Sequence, residues 1–279
     1  MELTNINDIR SVLSQNGFTF SKAMGQNFLI APWVPERIAD ECGADAGACV
    51  FEIGPGIGCL TEKLCERAGR VIAVELDKRL IPVLGKTLAG RSNLTVINAD
   101  VMSLDFSALD YGGLSPIVAA NLPYNITSPV ITKLLGCGSF KSVTVMVQRE
   151  VADRICAEPK TADYGAFTLF CRYKAECRKL FNVPASCFEP RPKVESAVVR
   201  MDLREKPPVD VDEKMLFRVV RGAFNQRRKT LINALSSAFP GCDKEKLREA
   251  VAAAGFAPTA RGEELSLEEF ARLAALLPQ

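Results

Sequence analysis

Histidine is absent from this chain of 279 residues. A protein without imidazole groups has no histidine-based catalytic triad, no imidazole general base and no histidine metal ligand. Whatever chemistry the chain performs must therefore use other groups, and this absence is among the strongest constraints in the composition.

The ten cysteines include no Cys-x-x-Cys pair, the spacing that is typical of zinc and redox sites. Cys42, Cys49, Cys59 and Cys65 follow one another at intervals of 7, 10 and 6 residues, which does not resemble a zinc site. We therefore predict no metal centre. So many free thiols are typical of a reducing compartment.

Long apolar runs are also missing. No segment approaches the ~20 apolar residues that span a bilayer, and the first 17 residues are polar, without the apolar core of a signal peptide. We predict no membrane contact and a cytoplasmic location. Because the net charge is only +2, a nucleic-acid partner would have to bind local basic patches.

Apolar segments alternate with helical patterns over the first 155 residues. The predicted strands are ACVFEI, RVIAVELD, LTVINAD, SPIVAANLPY and SVTVMVQ. Continuous apolar strands that alternate with helices indicate an α/β fold with a parallel sheet covered on both faces. From about 165 to 204, AFTLFCRYKAECRKLFNV and ESAVVRMDL are predicted to form further strands at the far edge of the sheet.

Pro207 and Pro208, within REKPPVDVDEK, mark a boundary. Four helical patterns follow it. We therefore predict that residues 1–207 form the domain that carries the sheet and that residues 208–279 form a small helical C-terminal domain.

Ligands of open α/β sheets bind outside the carboxyl ends of the strands. The first predicted strand leads into a turn with Gly54, Gly56 and Gly58, which is more compact than the G-x-G-x-x-G turn that cradles a pyrophosphate. Glu75 lies where an acid can accept from ribose hydroxyls, and Asp100 lies where it can accept from an adenine amine. Taken singly, these residues also suit a tight turn, a solvated acid and a helix N-cap. Together they favour a nucleoside site for S-adenosyl-L-methionine over one for NAD.

The fourth strand ends in Asn121-Leu122-Pro123-Tyr124, the predicted catalytic residues. An adenine amine is a poor nucleophile because its lone pair is delocalised into the ring. The Asn121 oxygen and a backbone carbonyl beside Pro123 can accept both amine hydrogens, and Tyr124 offers a face on which an unpaired base stacks. The amine can lose its proton to water, so the reaction needs no strong base. The alternative is an ordinary strand end with a proline turn.

The chain resembles the small-subunit (16S) ribosomal RNA adenine N6-dimethyltransferases of the KsgA type. The matching stretches occur in the family's order and cover about residues 20–235: KAMGQNFL, FEIGPGIGCLT, VIAVELD, NAD, NLPYNITSPVI, VQREVADRI, FEPRPKVESAVV and FNQRRKTLINAL. The resemblance implies a Rossmann-like methyltransferase domain followed by a small helical domain. It also implies dimethylation of two adjacent adenines in the 3′-terminal hairpin of small-subunit rRNA.

Carried over position by position, the resemblance places the cofactor among seven residues, of which two, Asn27 and Leu29, close over it from the N-terminal segment. Without the resemblance, GQNFLI would suggest only a loop. The residues implied for the cofactor are Asn27, Leu29, Gly54, Gly56, Glu75, Asp100 and Asn121, and those implied for the target amine and base are Asn121, Leu122, Pro123 and Tyr124.

Two basic stretches are predicted to bind RNA. RGAFNQRRK carries four cations and no acid, and FEPRPKVES carries two in a proline-stiffened loop. The predicted residues are Arg191, Lys193, Arg221, Arg227, Arg228 and Lys229. The alternative is a solvated helix end, and for the basic residues of CRYKAECRK a solvated edge strand.

Three other functions stay open at this stage. A large-subunit rRNA adenine methyltransferase of the antibiotic-resistance type shares the strand-end motifs, although FNQRRKTLINAL argues against it. A non-catalytic assembly factor can use the same scaffold, and an NAD-dependent dehydrogenase has the wrong glycine spacing. We expect a monomer that acts on an immature ribosomal small subunit.

Overall fold

The computed structural model describes residues 1–17 and 27–278. Its strands are β1 (Phe28–Leu29), β2 (Ala48–Ile53), β3 (Arg70–Glu75), β4 (Leu94–Asn98), β5 (Ser115–Asn121), β6 (Ser142–Gln148), β7 (Ala175–Val183), β8 (Phe188–Glu189) and β9 (Ser196–Leu203). Its helices are α1 (Ile6–Gln15), α2 (Trp33–Glu41), α3 (Cys59–Cys65), α4 (Ile81–Thr87), α5 (Thr127–Gly136), α6 (Arg149–Ile155), α7 (Ala166–Lys174), α8 (Glu213–Asn225), α9 (Leu231–Ala238), α10 (Lys244–Ala253) and α11 (Leu267–Leu276).

Seven strands form one sheet in the order β4-β3-β2-β5-β6-β9-β7. Strands β2 to β6 are parallel to their neighbours, whereas β9 runs antiparallel to β6. All six residues of β2 are buried, as are the last five of β3. Their apolar runs are therefore continuous rather than alternating, because helices cover both faces of the sheet. The predicted α/β class and its five parallel strands are confirmed.

The predicted strand over AFTLFCRYKAECRKLFNV is partly wrong. Its first half is helix α7 and only its second half is strand β7. Helix α7 begins after Gly165, whose N–H donates to the Thr168 hydroxyl at 3.1 Å. A short apolar run suits a buried helix as well as a strand, so periodicity alone did not separate them.

The chain divides into two compact units. The first consists of Met1–Ala152 with Arg178–Leu203, and the second of Asp153–Cys177 with Arg204–Gln279. The predicted boundary at residues 207 and 208 lies close to the last crossing between the units, but the single boundary misses Asp153–Cys177. These residues join the C-terminal helices because Tyr164 and Tyr173 belong to their core.

The two tyrosines make specific contacts within the second unit. The Tyr164 hydroxyl donates to the Leu265 carbonyl at 2.7 Å, and the Tyr173 ring packs edge-on against Phe217 with centroids 5.3 Å apart. Both contacts join residues far apart in sequence, which is why composition around 207 did not reveal them.

Candidate active site

The carboxyl ends of β2, β3, β4 and β5 line one cavity of about 240 Å³ in the first unit. In the sheet, β3 and β4 lie on one side of β2, and β5 and β6 lie on the other. Such a reversal of strand order opens a crevice for a ligand. The structure brings together at this cavity all the residues predicted for the cofactor and the catalytic step, which are Asn27, Leu29, Gly54, Gly56, Glu75, Asp100, Asn121, Leu122, Pro123 and Tyr124.

The glycine turn after β2 has a left-handed backbone. The φ angles of Gly54 and Gly56 are +67° and +61°, a region that strains residues with a side chain. No heavy atom lies within 4 Å of the place where a Cβ on Gly54 would stand. The turn therefore leaves its backbone accessible to a ligand in the cavity.

Glu75 ends β3 with its carboxylate held by backbone N–H groups. Oε1 accepts from Asp77 at 2.8 Å and Oε2 accepts from Gly56 at 3.4 Å. Burial raises the pKa of Glu75, and these backbone bonds oppose the rise. The carboxylate thus joins the end of β3 to the glycine turn in a fixed orientation, with lone pairs left to accept from a ligand.

Glu52, near the end of β2, was not assigned a role from the sequence. It is only 1% exposed and lines the cavity. Its Oε2 has no hydrogen-bond partner within the described part of the chain. Burial raises the pKa of Glu52 to about 8; the nearby Thr61 hydroxyl opposes this rise, and the charge of Glu75 adds to it. Like Oε2 of Glu52, the Thr61 hydroxyl has no hydrogen-bond partner among the described residues. A glutamate inside the apolar run ACVFEI was the available signal, since buried glutamates are rare without a partner.

Asp100 follows β4 and lies at the rim of the cavity. Its Oδ1 accepts from the backbone N–H of Met102 at 2.8 Å. The alternative was a helix N-cap, but residues 101–103 form a turn and not the start of a helix. The contact with Met102 occupies one oxygen, so the carboxylate keeps an acceptor for an amine donor.

Asn121 ends β5, and its side chain makes no hydrogen bond to another described residue. The Pro123 carbonyl already accepts from the Ile126 N–H and the Thr127 hydroxyl, at 3.3 and 3.2 Å. The carbonyl beside Pro123 that is left for a ligand is therefore that of Leu122. Together the Asn121 amide and this carbonyl provide two acceptors at the cavity.

Tyr124 lies in a short 3-10 turn after β5 and is half-buried. Its hydroxyl and that of Ser196 are 2.7 Å apart. Burial raises the pKa of the Tyr124 phenol, so the ring stays neutral. The ring lines the cavity together with Phe188.

The N-terminal side of the cavity is formed by a two-stranded sheet. β1 pairs antiparallel with β8, with Leu29 opposite Phe188 and Phe28 opposite Glu189. The Phe28 ring lies 3.6 Å from the position of a Cβ on Gly56. The sequence pattern assigned no role to Phe28 or Phe188, although they lie within the motifs KAMGQNFL and FEPRPKVESAVV. Residues 22–26 of KAMGQNFL lie outside the described residues.

Five of the six residues predicted to bind RNA are exposed: Arg191, Lys193, Arg221, Arg228 and Lys229. Arg227 instead makes internal contacts. It pairs with Glu263 at 2.6 Å and donates to the carbonyls of Ala162 and Thr161 at 2.6 and 3.0 Å. Helix α8 ends at Asn225, so helical spacing does not place Arg227 beside Arg221. The Arg227 side chain is therefore held by partners within the second unit.

The described residues contain neither a metal-binding cluster nor a membrane-spanning helix. Within 1–17 and 27–278, no three histidine, cysteine, aspartate or glutamate side chains form a group able to hold a metal ion. No helix in those ranges is both long enough and apolar enough to cross a membrane.

Comparison with known proteins assigns the family. The model of the ribosomal RNA adenine dimethylase family matches residues 17–277. The chain belongs to this family. A "Ribosomal RNA small subunit methyltransferase A" from Alkaliphilus oremlandii is 45% identical over 270 residues, 95% of this chain and 94% of the relative. One from Bacillus mycoides is 45% identical over 99% of this chain and 97% of the relative.

Two solved structures share the fold. The 23S rRNA methyltransferase ErmE matches with a TM-score of 0.71 at 27% identity, and the match covers 91% of this chain and 100% of the ErmE chain. A dimethyladenosine transferase from Plasmodium falciparum has a TM-score of 0.73 at 25% identity, covering 88% and 95%. The predicted Rossmann-like methyltransferase class and the resemblance are confirmed.

S-adenosyl-L-methionine is the cofactor of this family, as the sequence predicts. The cavity fits it on its own chemistry. Glu52 and Glu75 offer carboxyls to a cationic amino-acid group and to hydroxyls, and Leu76 and Val101 offer apolar contact to a base. The unpartnered Oε2 of Glu52 is the clearest of these features, because a buried carboxyl oxygen without a donor is stabilised by a donor from a ligand.

Proposed function

We propose that the chain transfers methyl groups to the N6 amines of two adjacent adenines in the 3′-terminal hairpin of small-subunit (16S) rRNA, giving N6,N6-dimethyladenosine. Support for the substrate comes from relatives that are 45% identical over nearly the whole chain and carry the name of a small-subunit methyltransferase. The observation that carries the chemistry is the pair of open acceptors, Asn121 and the Leu122 carbonyl, beside the acidic end of the cavity.

The catalytic step follows from what these groups do to an amine. When bound, S-adenosyl-L-methionine supplies an electrophilic methyl group. The Asn121 oxygen and the Leu122 carbonyl each accept one amine hydrogen, which holds the nitrogen lone pair toward the methyl and favours a pyramidal nitrogen. Holding the reacting atoms in this alignment removes much of the entropic part of the barrier. The proton leaves to water after transfer, so the lack of histidine is no obstacle.

The target base is held by stacking. Tyr124 and Phe188 both line the cavity, and an aromatic face contributes about 1–3 kcal/mol to binding an unstacked base. The half-buried Tyr124 ring therefore captures an adenine that has left its stack, and the acceptors of Asn121 and Leu122 read its amine.

The proposed partner is an immature small subunit bound by a monomer in the cytoplasm. Exposed cations of the first unit, Arg191 and Lys193, and of the second, Arg221, Arg228 and Lys229, are the proposed phosphate contacts. With a net charge of only +2, such dispersed contacts favour a folded particle that presents several phosphate tracks at once.

The experiment uses labelled S-adenosyl-L-methionine with small subunits that lack the modification. Nucleoside analysis should yield N6,N6-dimethyladenosine, and primer extension should map it to two adjacent adenines of the 3′-terminal hairpin. Parallel reactions on deproteinised rRNA and on large subunits test the particle preference and the substrate. Label in large-subunit rRNA would support the resistance-type alternative, and tight particle binding without label would support a non-catalytic assembly factor.

Replacing Glu75 by Ala should weaken cofactor binding about tenfold or more, because losing a charged hydrogen-bond acceptor costs roughly 1.5–3 kcal/mol. Glu75 is held by two backbone N–H groups at the cavity. Calorimetric titration measures the affinity, with Glu205→Ala, an exposed acid of the second unit, as the matched control. Equal cofactor affinities for the two variants would show that Glu75 does not bind the cofactor.

A further inference from the structure

The exposed side of helix α8 is lined by basic residues. Met215, Leu216, Val219, Val220 and Ala223 are buried on one side of this helix. The exposed positions on the other side follow the helical i, i+4, i+7 pattern, which places side chains on one face. They are occupied by Lys214, Arg218 and Arg221.

No acid interrupts this face. Residues 214–229 contain six basic residues and no aspartate or glutamate: Lys214, Arg218, Arg221, Arg227, Arg228 and Lys229. The preceding acid, Glu213, is paired with Lys174 at 2.7 Å. By contrast, α10 mixes both signs, and its Arg248 pairs with Glu245. The charge of α8 is thus a property of that helix and not of the unit.

Arg218 is already held in one orientation. Its guanidinium lies over the Phe239 ring, 4.1 Å from the centroid, and Nε and Nη2 donate to the Ala238 carbonyl at 3.3 and 3.2 Å. These contacts leave Nη1 for a further acceptor. Lys214 and Arg221 form no ion pair with another described residue. A fixed guanidinium between two free cations suits a row of phosphates, for which a planar fork loses little entropy on binding.

We propose that the exposed face of α8, formed by Lys214, Arg218 and Arg221, binds the phosphate backbone of RNA and extends the contact surface that Arg228 and Lys229 begin. This inference rests on the proposed rRNA substrate. Lys214 and Arg218 are its new members, and they contribute through charge rather than base recognition, since phosphate contacts carry no sequence information.

The test compares two double variants of the full chain. Lys214→Ala/Arg221→Ala removes two exposed cations from α8, and Lys244→Ala/Lys246→Ala removes two from α10. Binding to unmodified small subunits is measured across a salt series. Each lost phosphate contact should flatten the slope of log affinity against log salt by about 0.7 to 0.9. We expect this change in the α8 variant alone, with unaltered melting temperature and cofactor affinity.

Arg218→Lys gives a second, independent reading, because it keeps the charge but removes the fork. It should weaken particle binding about threefold or more without altering the salt slope by a full contact. Equal slopes for the α8 and α10 variants would overturn the inference. If the α8 double variant flattened the salt slope for binding to an acidic protein but not for binding to deproteinised rRNA, the face would bind a protein partner instead. Failure of the wild-type chain to methylate small subunits would overturn the proposed function, which the slopes do not measure.

A separate observation concerns the contact between Tyr124 and Ser196. Ser196 begins β9, is fully buried and lies opposite Gln148 in the pairing of β9 with β6. Its hydroxyl is 2.7 Å from that of Tyr124, 72 positions away in sequence. The bond therefore ties the NLPY turn to the first residue of a rigid strand.

We infer that Ser196 is a positioning residue for the Tyr124 ring. A phenol fixed at its hydroxyl cannot tilt about the Cα–Cβ bond, so the face that receives the base keeps one orientation. The inference rests on the proposed stacking role of Tyr124. It predicts an effect on capture and turnover of the RNA and none on cofactor affinity.

Ser196→Ala and Tyr124→Phe delete the two ends of the same bond. Each should lower the single-turnover rate of methylation about three- to tenfold, the range for one buried hydrogen bond. The double variant should be no slower than the slower single variant, because residues that act through one contact are not additive. Ser142→Ala is the control, since the Ser142 hydroxyl is buried in β6 without a partner among the described residues.

Independent, multiplying effects of the two substitutions would overturn the inference, as would a Ser196→Ala rate equal to that of Ser142→Ala. A fall in melting temperature that accounts for the rate loss in Ser196→Ala but not in Tyr124→Phe would also overturn it. Inactivity of the Ser142→Ala control and of the unmodified chain would count against the proposed function itself.

Discussion

Replacing Asn121 by Ala should lower the single-turnover rate of methyl transfer by about 100-fold or more, the usual effect of deleting one preorganised hydrogen-bonding group at a reacting centre. The Asn121 amide lines the cavity and has no partner among the described residues. Its loss leaves the Leu122 carbonyl to hold the amine by a single hydrogen bond. The nitrogen lone pair then returns to the ring, and alignment with the methyl is lost.

Rapid-quench assays on unmodified small subunits, at saturating cofactor, measure this rate. Saturation matters because Asn121 borders the same cavity as Glu75, so the variant should also bind cofactor more weakly. Asn182→Ala, an exposed asparagine on β7, is the matched control. A rate for Asn121→Ala within twofold of the control would refute the chemistry assigned to this strand end.

Replacing Glu52 by Gln should have opposite effects on stability and on cofactor binding. Burial raises the pKa of Glu52 from its ordinary 4.5 to about 8. Between those values the folded chain holds a proton that the unfolded chain has lost. The free energy of unfolding therefore falls as pH rises through this window. Near pH 7 the penalty is on the order of a few kcal/mol, which an amide does not incur because it never ionises.

The melting temperature of the wild-type chain should accordingly fall between pH 5 and 8, and that of Glu52→Gln should fall less. A shallower slope should persist in the variant, because burial also raises the pKa of Glu75. At neutral pH the variant should melt several degrees higher. Glu205→Gln, at an exposed acid, should reproduce the wild-type slope.

Proton release on cofactor binding gives a second test of the ionisation of Glu52. A cationic ligand beside Glu52 favours the ionised carboxyl, so binding below pH 8 should release a proton to the buffer. Calorimetry in buffers of different ionisation enthalpy measures that proton. Glu52→Gln should bind about tenfold more weakly and release fewer protons. If the melting temperatures of the two chains changed in parallel with pH and proton release were equal, folding would not raise the pKa of Glu52 and the residue would take no part in binding.

The local sequence determined most of the sheet and the contents of its ligand-binding edge. Strands β2 to β5 are short runs rich in apolar residues that end in, or are directly followed by, glycine, acid or asparagine, and in parallel strands the carboxyl ends meet at one edge. Glu75, Asp100 and Asn121 could therefore be placed at one cavity without coordinates. Asn27 and Leu29 could not, because nothing local marks GQNFLI as more than a loop, and only the family resemblance indicated them.

Tertiary contacts decided the rest. Contacts between residues far apart in sequence place helix α7 (Ala166–Lys174) in the second unit, pair Arg227 with Glu263, and bring Ser196 to Tyr124. The sequence places Glu52 at a strand end, but whether its carboxyl meets water or a dry cavity depends on the strands and helices packed around it. Burial, ion pairing and hydrogen bonding between distant residues are properties of the assembled fold, because each depends on neighbours that sequence proximity does not supply.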